Sequence, residues 1–328
     1  MNKPKICLIG CGSIGANKPD NIDGPETEFS LTHAHELYNL YKAGKIEEPR
    51  IFDKNIKPLE TAYEKWGFPC GKPDDRFDIY VIAVNTEHQY SLIKTLMNDN
   101  PKLLIVEKPF CLTYKEASEI SEIALEKNIP IIVNYTRKFI PAFREIKNHL
   151  NGDVNKKIFN VVLRYNRGLK REACHAIDLF NYWFGEFIDG AVLTDGYDDF
   201  NKTDRTSSVY LKYEKCDSIF LCPIDGRDYC LFEIDILTSN GKISFKRYGN
   251  LIETYPLIED DMYGNYKTTF TEPQIQITDL RLALKNLYSN ALAVYYKKSK
   301  PVCTDVDALK VHEVLFSLLE GDYGKTRN

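Results

Sequence analysis

The fold is decided by residues 5–15, which read KICLIGCGSIG. A short apolar run ends at Gly10 and leads into the pattern Gly-x-Gly-x-x-Gly. In this pattern Gly10 allows a tight turn, Gly12 lets the backbone approach a pyrophosphate, and Gly15 lets a helix pack closely on the strand. The N–H groups at the start of that helix would bind phosphates. The motif follows a strand, so it predicts a dinucleotide site rather than a glycine-rich turn without a ligand, with contacts at Gly10, Gly12, Ser13, Ile14 and Gly15.

Strand-like and helix-like segments alternate outward from this motif as far as residue 133. The apolar runs at 50–52, 79–84, 103–106 and 131–133 are predicted strands, and helices are predicted between them. This alternation predicts an α/β fold with a doubly wound parallel sheet. Beyond about residue 150, strand candidates at 157–165, 207–213, 218–222 and 230–237 follow each other with few helices. They predict an α+β domain with a large, mostly antiparallel open sheet.

The same change of pattern sets the predicted domains. We expect a dinucleotide-binding domain at 1–134 and a substrate and oligomerisation domain at 135–328. A helix predicted at about 305–320 either packs back on the first domain or stays with the second.

The composition excludes several classes of protein. The chain has 328 residues, of which 43% are hydrophobic and 27% are charged, so it is neither disordered nor a fibrous rod. Its net charge of -4 gives no general attraction for nucleic acid. The longest apolar runs have the length of strands and no signal peptide is visible, so we expect a cytoplasmic protein without a membrane partner. Nine cysteines without a Cys-x-x-Cys pair and six dispersed histidines predict neither disulfides nor a metal site.

A carboxylate stands at the end of the second predicted strand, where residues 50–53 read RIFD. Asp53 would accept hydrogen bonds from ribose hydroxyls and repel a 2′-phosphate, which predicts NAD rather than NADP as the cofactor. The alternative role for Asp53 is to cap the helix that begins near Pro58. The distance in sequence from Gly10 exceeds the usual spacing. Residues 16–31 account for the excess as an inserted loop, either a lid over the site or a solvated loop.

Two further side chains suit acid–base chemistry. Lys108 follows the fourth predicted strand in the tripeptide Glu107-Lys108-Pro109, at the carboxyl edge of the sheet where ligands bind in such folds. His175 opens an apolar helix and has a side chain that exchanges protons near neutral pH. A surface lysine and a core histidine are the alternative interpretations. Tyr135 and Arg137 follow the fifth strand at the same edge and are candidate substrate contacts, and Tyr135 equally fits the core.

These motifs together resemble the Gfo/Idh/MocA family, named for glucose–fructose oxidoreductase and inositol dehydrogenase. The resemblance runs along most of the chain, and the Glu-Lys-Pro tripeptide at 107–109 is its most specific element. The other motifs that carry it are the glycine loop, Asp53, the segment Val81–Thr86 with His88, Arg137 with Phe139 and Pro141, the start of the helix at His175 and Asp178, and the turn Ser239–Lys242.

The resemblance implies a Rossmann domain followed by a domain whose sheet often forms a dimer interface, and hence a homodimer or homotetramer. It implies reversible hydride transfer between a nicotinamide and a hydroxyl-bearing or keto carbon of a sugar, nucleotide sugar or cyclitol. By resemblance, Lys108 and His175 are the acid–base and substrate-orienting groups. The cofactor contacts that it implies beyond the glycine loop and Asp53 are Asn85, Thr86, His88 and Glu107.

The sequence departs from the family four positions before His175, where many members carry an aspartate and this chain has Arg171. Arg171 ends the basic segment 167–171, RGLKR, and arginine binds carboxylates and phosphates through two parallel hydrogen bonds. We hypothesise a substrate with an anionic group, such as a nucleotide sugar or an acidic sugar; the alternative is a solvated basic loop. The departure leaves open a dinucleotide-binding regulator without turnover, although Lys108 with His175 favours an enzyme. NAD-dependent glycoside cleavage is a further alternative.

Overall fold

The computed structural model describes residues 2–71, 75–152 and 156–319. They divide into two compact units. The first unit contains the described residues up to Phe139 together with Arg281–Leu309, and the second contains Ile140–Leu280 and the residues from Lys310 onward. The domain boundary predicted between residues 134 and 135 stays a prediction. In the described ranges, no helix combines the length and the apolar character needed to cross a membrane.

The strands and helices of the described residues are numbered in chain order. The strands are β1 (Ile6–Ile9), β2 (Arg50–Phe52), β3 (Ile79–Ile82), β4 (Leu103–Val106), β5 (Ile131–Val133), β6 (Ile158–Tyr165), β7 (Phe187–Asn201), β8 (Asp204–Tyr213), β9 (Cys216–Pro223), β10 (Phe232–Thr238), β11 (Gly241–Lys246), β12 (Leu251–Pro256), β13 (Ile258–Glu259), β14 (Lys267–Thr268) and β15 (Gln274–Ile277). The α-helices are α1 (His33–Lys42), α2 (Ile56–Trp66), α3 (Thr86–Leu96), α4 (Tyr114–Lys127), α5 (Pro141–Asn151), α6 (Cys174–Phe184), α7 (Ala283–Tyr295) and α8 (Asp305–Leu319).

The first unit is built on a parallel sheet of five strands in the order β2-β1-β3-β4-β5. Every residue of β1, β3 and β4 is buried, as expected of apolar strands in a sheet with both faces covered. This confirms the predicted doubly wound parallel sheet. Because parallel strands all end at one edge, the residues that follow β1, β2, β3 and β4 come together there. Helix α7 lies late in the sequence but packs against α1 in this unit.

The second unit is built on a mixed sheet of eight strands in the order β15-β12-β11-β10-β6-β9-β8-β7. Only β6 and β9 pair in parallel among these neighbours, which confirms the prediction of a large, mostly antiparallel sheet. Alternate side chains of the sheet face a core that α5 and α6 complete. In that core Phe143 and Trp183 stack on Phe245 with ring centroids 5.3 and 5.2 Å apart. The turn at Asn240-Gly241 joins β10 to β11 as predicted, and Gly241 there has a φ of +133°.

Candidate cofactor and active site

The glycine loop follows β1 directly, and its three glycines have different surroundings. Gly10 has a φ of +100°, and a Cβ there would lie 2.5 Å from the carbonyl oxygen of Ala83. A Cβ on Gly15 would overlap the carbonyl oxygen of Gly10. A Cβ on Gly12 would meet no described atom within 4 Å. Gly10 and Gly15 are therefore needed for close backbone packing, whereas Gly12 leaves open the side of the loop that a ligand would approach.

The predicted insertion at 16–31 separates the glycine loop from helix α1. Ala16 donates its N–H to the carbonyl of Gly12 at 2.9 Å, which closes one turn. Helix α1 then begins at His33, whose N–H bonds to Ile14 O at 3.1 Å. In a continuous helix, the carbonyl of Ile14 would accept the N–H of the residue four positions later. Here the N–H of His33 makes that hydrogen bond instead. Residues 16–31 are an insertion within that helix, which explains the long spacing between the glycine loop and Asp53.

The insertion is fixed to the first unit by Asp23, a fully buried carboxylate. Asp23 accepts hydrogen bonds from the backbone N–H of Leu31 and the hydroxyl of Thr32, both at 2.6 Å, and from His35 Nδ1 at 2.9 Å. At its start, Ala16 O accepts a hydrogen bond from Trp66 Nε1 at 3.0 Å. Asp23 therefore anchors the insertion, while residues 19–22 are exposed. The solvated-loop alternative stays a prediction, and so does the role of the insertion as a lid.

Asp53 connects the end of β2 with the glycine loop. Its Oδ2 accepts the N–H of Cys11 at 2.8 Å, and its Oδ1 accepts the N–H of Asn55 at 2.8 Å. Each oxygen keeps a further lone pair, so the carboxylate has capacity for hydroxyl donors. Beside it, Lys54 Nζ lies 2.7 Å from His88 Nε2. Lys54 was not predicted as a site residue, although a basic residue directly after a strand-end acid is a visible signal in the sequence.

A cavity of about 500 Å³ joins these groups at the carboxyl edge of the sheet. It brings together Gly10, Gly12, Asp53, Asn85 and His88 of the predicted cofactor residues, with Lys54 and Asn55. Thr86 begins α3 at the same edge, and Ser13 lies exposed in the turn after the glycine loop, with Ile14 half-buried beside it. The open side of Gly12 and the carboxylate of Asp53 on one cavity fit a pyrophosphate next to an adenosine ribose.

The Glu-Lys-Pro tripeptide follows β4, and the Lys108–Pro109 peptide bond is cis. Lys108 is half-buried. Glu107 is buried, and its Oε1 is 2.9 Å from His33 Nε2 and accepts a hydrogen bond from Asn134 Nδ2 at 2.6 Å. His33 Nδ1 in turn lies 3.0 Å from the hydroxyl of Tyr288 on α7. Sequence reasoning missed His33, Asn134 and Tyr288 as neighbours of the tripeptide.

The two predicted substrate contacts after β5 are buried, with 2% of Tyr135 and 5% of Arg137 exposed. Next to them, buried Lys138 pairs with Asp307 at 2.9 Å. Tyr135 thus fits the core interpretation that the sequence left open, and both residues stay predictions as substrate contacts.

In the second unit, His175 is the second residue of α6 and is buried. A short π-helical turn, Leu169–Ala173, leads into that helix and carries Arg171 on the surface. The carboxylate of Asp204 accepts the N–H groups of Lys170 and Arg171 at 2.8 and 2.9 Å, so it caps this turn. The sequence analysis did not identify Asp204 as the residue that shapes the basic segment.

The guanidinium groups of the basic segment meet one aromatic ring. Arg171 lies over the ring of Phe200 with its Cζ 4.0 Å from the centroid, and Arg167 lies 5.1 Å from the same centroid. The N–H of Arg167 bonds to Asp199 at 2.8 Å, which fixes the start of the segment. The backbone of the basic segment is therefore held in a defined shape, while Lys170 and Arg171 are exposed. Substrate binding by this segment stays a prediction, and so does the solvated-loop alternative.

Comparison with known proteins gives four relevant similarities. Residues 5–135 match the sequence model of the GFO/IDH/MocA group, described as an oxidoreductase family with an NAD-binding Rossmann fold. A scyllo-inositol 2-dehydrogenase (NAD(+)) of Bacillus subtilis (strain 168) is 28% identical over 138 residues, which are 40% of this chain and 38% of that protein's length.

Two solved structures share the fold of the whole chain. A UDP-N-acetylglucosamine 3-dehydrogenase from Acidithiobacillus ferrooxidans has a TM-score of 0.72 at 13% identity over 98% of both chains. The WlbA dehydrogenase from Bordetella pertussis, in complex with NADH and UDP-GlcNAcA, has a TM-score of 0.74 at 14% identity over 98% of this chain and 96% of that one. The family match over residues 5–135, together with the parallel sheet and the glycine loop described above, gives the first unit the NAD-binding Rossmann fold of the Gfo/Idh/MocA oxidoreductase family.

Proposed function

We propose that the protein is an NAD-dependent oxidoreductase that acts on a hydroxyl or keto carbon of a sugar, nucleotide sugar or cyclitol. The observation that carries this proposal is the cavity that joins the open side of Gly12 to the carboxylate of Asp53. A dinucleotide bound there would supply or accept the hydride.

The residues proposed to hold the dinucleotide are Gly10, Gly12, Ser13, Ile14, Gly15, Asp53, Asn85, Thr86, His88 and Glu107. Asp53 is proposed to bind the ribose hydroxyls with the lone pairs that the backbone leaves available. Its charge would repel a 2′-phosphate, which favours NAD over NADP. Lys54 is close to the same carboxylate in sequence and adds a positive charge to the cavity, so it partly offsets this repulsion.

Lys108 and His175 are proposed as the acid–base and substrate-orienting groups. Oxidation of an alcohol must release the hydroxyl proton as the hydride leaves, so a proton acceptor at the hydroxyl oxygen is needed. Lys108 follows β4 at the carboxyl edge of its sheet, where this class of fold binds ligands. His175 stands in the first turn of α6, and Tyr135 and Arg137 remain proposed substrate contacts.

The substrate is proposed to carry an anionic group. The support for this is Arg167 and Arg171, whose guanidinium groups share the ring of Phe200 while Asp199 and Asp204 hold their backbone. A guanidinium group binds a phosphate or carboxylate oxygen pair in a fixed geometry. A nucleotide sugar or an acidic sugar fits this surface, and the names of the two structural relatives point to nucleotide sugars for those proteins.

We also propose that the eight-stranded sheet forms a homodimer or homotetramer interface. The outward face of this sheet carries half-exposed and exposed side chains, both aromatic and charged. Examples are Phe220, Tyr210 and the Arg164–Asp235 pair at 2.7 Å. Sedimentation of the purified protein would measure its oligomeric state. A monomer at all concentrations would refute the proposed interface.

The function is tested by titrating the protein with NADH and NADPH while nicotinamide fluorescence is recorded. A panel of keto-sugars, nucleotide sugars and cyclitols is then added. Tight NADH binding with turnover on one member is the expected result. Tight binding with no turnover on any member would favour a regulator, and the absence of dinucleotide binding would refute the proposal.

A further inference from the structure

Four buried polar side chains of the first unit form one hydrogen-bonded chain that ends at the residue before Lys108. Tyr288 of α7 contacts His33 of α1 at 3.0 Å, and His33 contacts Glu107 at 2.9 Å. Asn134, which follows β5, donates to the same Glu107 oxygen at 2.6 Å. Tyr288 and His33 have 1% and 0% of their surface exposed, so this chain is shielded from water.

The direction of these hydrogen bonds follows from the protonation states at both ends. Burial alone would raise the pKa of Glu107, but the donors His33 and Asn134 and the charge of Lys108 hold that pKa below its usual value. An ionised carboxylate only accepts hydrogen bonds, so His33 donates from Nε2–H. Burial raises the pKa of Tyr288 well above its usual value, so its phenol keeps its proton. The contact between the Tyr288 hydroxyl and His33 Nδ1 at 3.0 Å completes the chain.

The charge of Glu107 is supported chiefly by this chain and by Lys108. The groups that face Glu107 or its donors are His33 from α1, Tyr288 from α7, Asn134 from the end of β5 and Lys108 along the chain, and Glu36 acts on Tyr288. A buried carboxylate that loses a donor takes up a proton more easily, since the interior disfavours its charge. Without His33, one of its two side-chain donors is lost.

We propose that His33, supported by Tyr288, is a positioning residue that keeps Glu107 ionised and fixed beside Lys108. This inference rests on the proposed function for its meaning, because Glu107 and Lys108 are assigned there to the cofactor and the reaction. It is a statement about the protonation of Glu107, so it is measurable without a substrate.

The test compares variants of His33 with the wild-type protein. His33→Leu removes the donor, and His33→Gln replaces the imidazole with an amide that carries an N–H donor. His35→Leu is the matched control: His35 is also fully buried on α1 and also contacts a buried carboxylate at 2.9 Å, but that carboxylate is Asp23. Tyr288→Phe removes a single hydroxyl and provides a second test if His33→Leu does not fold.

Infrared spectra of protein with isotope-labelled glutamate would be recorded between about pH 8 and pH 5, together with NADH titrations. Burial raises the pKa of Glu36, so the band of Glu107 is identified as the one that is lost in Glu107→Gln. We expect this Glu107 band in His33→Leu, a weaker one in Tyr288→Phe, and none in the wild type, His33→Gln or His35→Leu. As the pH falls from about 8 to about 5, the ratio of the NADH Kd of His33→Leu to that of the wild type should rise about tenfold. A rise of one unit in the pKa of Glu107 would produce a change of this size.

Two results would overturn the inference. One is a spectrum of His33→Leu, or of Tyr288→Phe if the former does not fold, without the protonated band. The other is an equal band in His35→Leu, which would indicate a general effect of loosened packing. Failure of the wild type to bind NADH would refute the proposed function instead, and the infrared result would still decide the state of Glu107.

Discussion

Asp53 shows how much one carboxylate determines at the residue scale. It holds the glycine loop through Cys11 and its own turn through Asn55, and it faces the cavity in which Lys54 supplies a nearby positive charge. Removal of its charge therefore affects both the shape of the loop and the electrostatic potential at the proposed ribose site. Both effects act on dinucleotide binding, but only the second distinguishes NAD from NADP.

Asp53→Asn is expected to weaken NADH binding about tenfold or more, because a charged hydrogen bond contributes about 1.5–3 kcal/mol. NADPH should lose less affinity, because the repulsion between Asp53 and its 2′-phosphate is removed while the positive charge of Lys54 remains. Fluorescence titration with both dinucleotides measures the ratio of their Kd values. Glu60→Gln, an exposed change of the same charge on α2, is the control. An unchanged ratio in Asp53→Asn would contradict the role given to this residue.

His312 is a second residue with a measurable effect, and it acts on stability. Burial and the nearby charge of Lys170 lower the pKa of His312 to about 4. The unfolded chain therefore binds an additional proton between about pH 6.5 and pH 4, so the free energy of unfolding falls as the pH falls through this range. The loss is expected to reach about 3 kcal/mol. His312→Gln should flatten the dependence in urea unfolding at several pH values, and an unchanged slope would disprove this account.

At the scale of the element, the insertion divides a helix without breaking its hydrogen-bond pattern. The carbonyls of Ile14 and Gly15 accept the first N–H groups of α1, although residues 16–31 lie between them in sequence. These hydrogen bonds connect the glycine turn directly to α1. Asp23 then anchors the inserted residues through Leu31, Thr32 and His35. We therefore expect a change inside the insertion to alter the position of the glycine loop.

Asp23→Asn is expected to lower the free energy of unfolding by about 3 kcal/mol, because it breaks a buried and fully hydrogen-bonded carboxylate cluster. NADH affinity should fall with it. Asp20→Asn is the matched control on the same insertion, since the Asp20 side chain is 84% exposed and its pair with Lys65 should contribute less than about 1 kcal/mol. Equal stability losses in the two variants, measured by urea unfolding, would show that Asp23 is not the anchor.

The basic turn before α6 is the element proposed to bind the anionic group of the substrate. Asp199 and Asp204 fix its backbone, and Phe200 places the two guanidinium groups. The arginines are therefore ordered before any ligand arrives, which reduces the entropy lost on binding.

Arg171→Ala is expected to raise KM for an anionic substrate about tenfold and to change kcat little, because it removes binding rather than chemistry. Steady-state kinetics with a nucleotide sugar found in the panel would measure both constants. Lys202→Ala removes an exposed charge between β7 and β8 and should leave KM unchanged. If Arg171→Ala behaves like Lys202→Ala, the substrate does not use the basic turn.

At the scale of the whole molecule, local patterns predicted the first unit better than the second. The strands of the parallel sheet are short apolar runs, and the glycine loop and Asp53 follow them directly in sequence. Strand β7 was not predicted, because its residues Phe187–Asn201 contain two glycines and four aspartates and are largely exposed. It is a strand through its pairing with β8, which includes several shifts of register.

The candidate site shows the same division. Gly10, Gly12 and Asp53 are visible in sequence because each follows a strand of the sheet. The partners of Glu107 are not, since His33 lies 74 residues away and the hydroxyl that supports it lies another 255 residues from His33. Such contacts arise only when α1 and α7 pack together, and no spacing rule in the sequence specifies them.

The return of the chain to the first unit at Arg281–Leu309 has a consequence for protein synthesis. A ribosome delivers all five strands of the cofactor-binding sheet early, but it delivers α7 and Tyr288 only after every strand of the second unit. Until then, the face of α1 that packs against α7 is uncovered, and His33 lacks the phenol. A message cut short in the second unit would yield a nascent chain in which α1 lacks its α7 partner, and chaperones and proteases act on such incompletely packed chains. The cofactor-binding unit is therefore completed only after every described strand of the second unit has been translated.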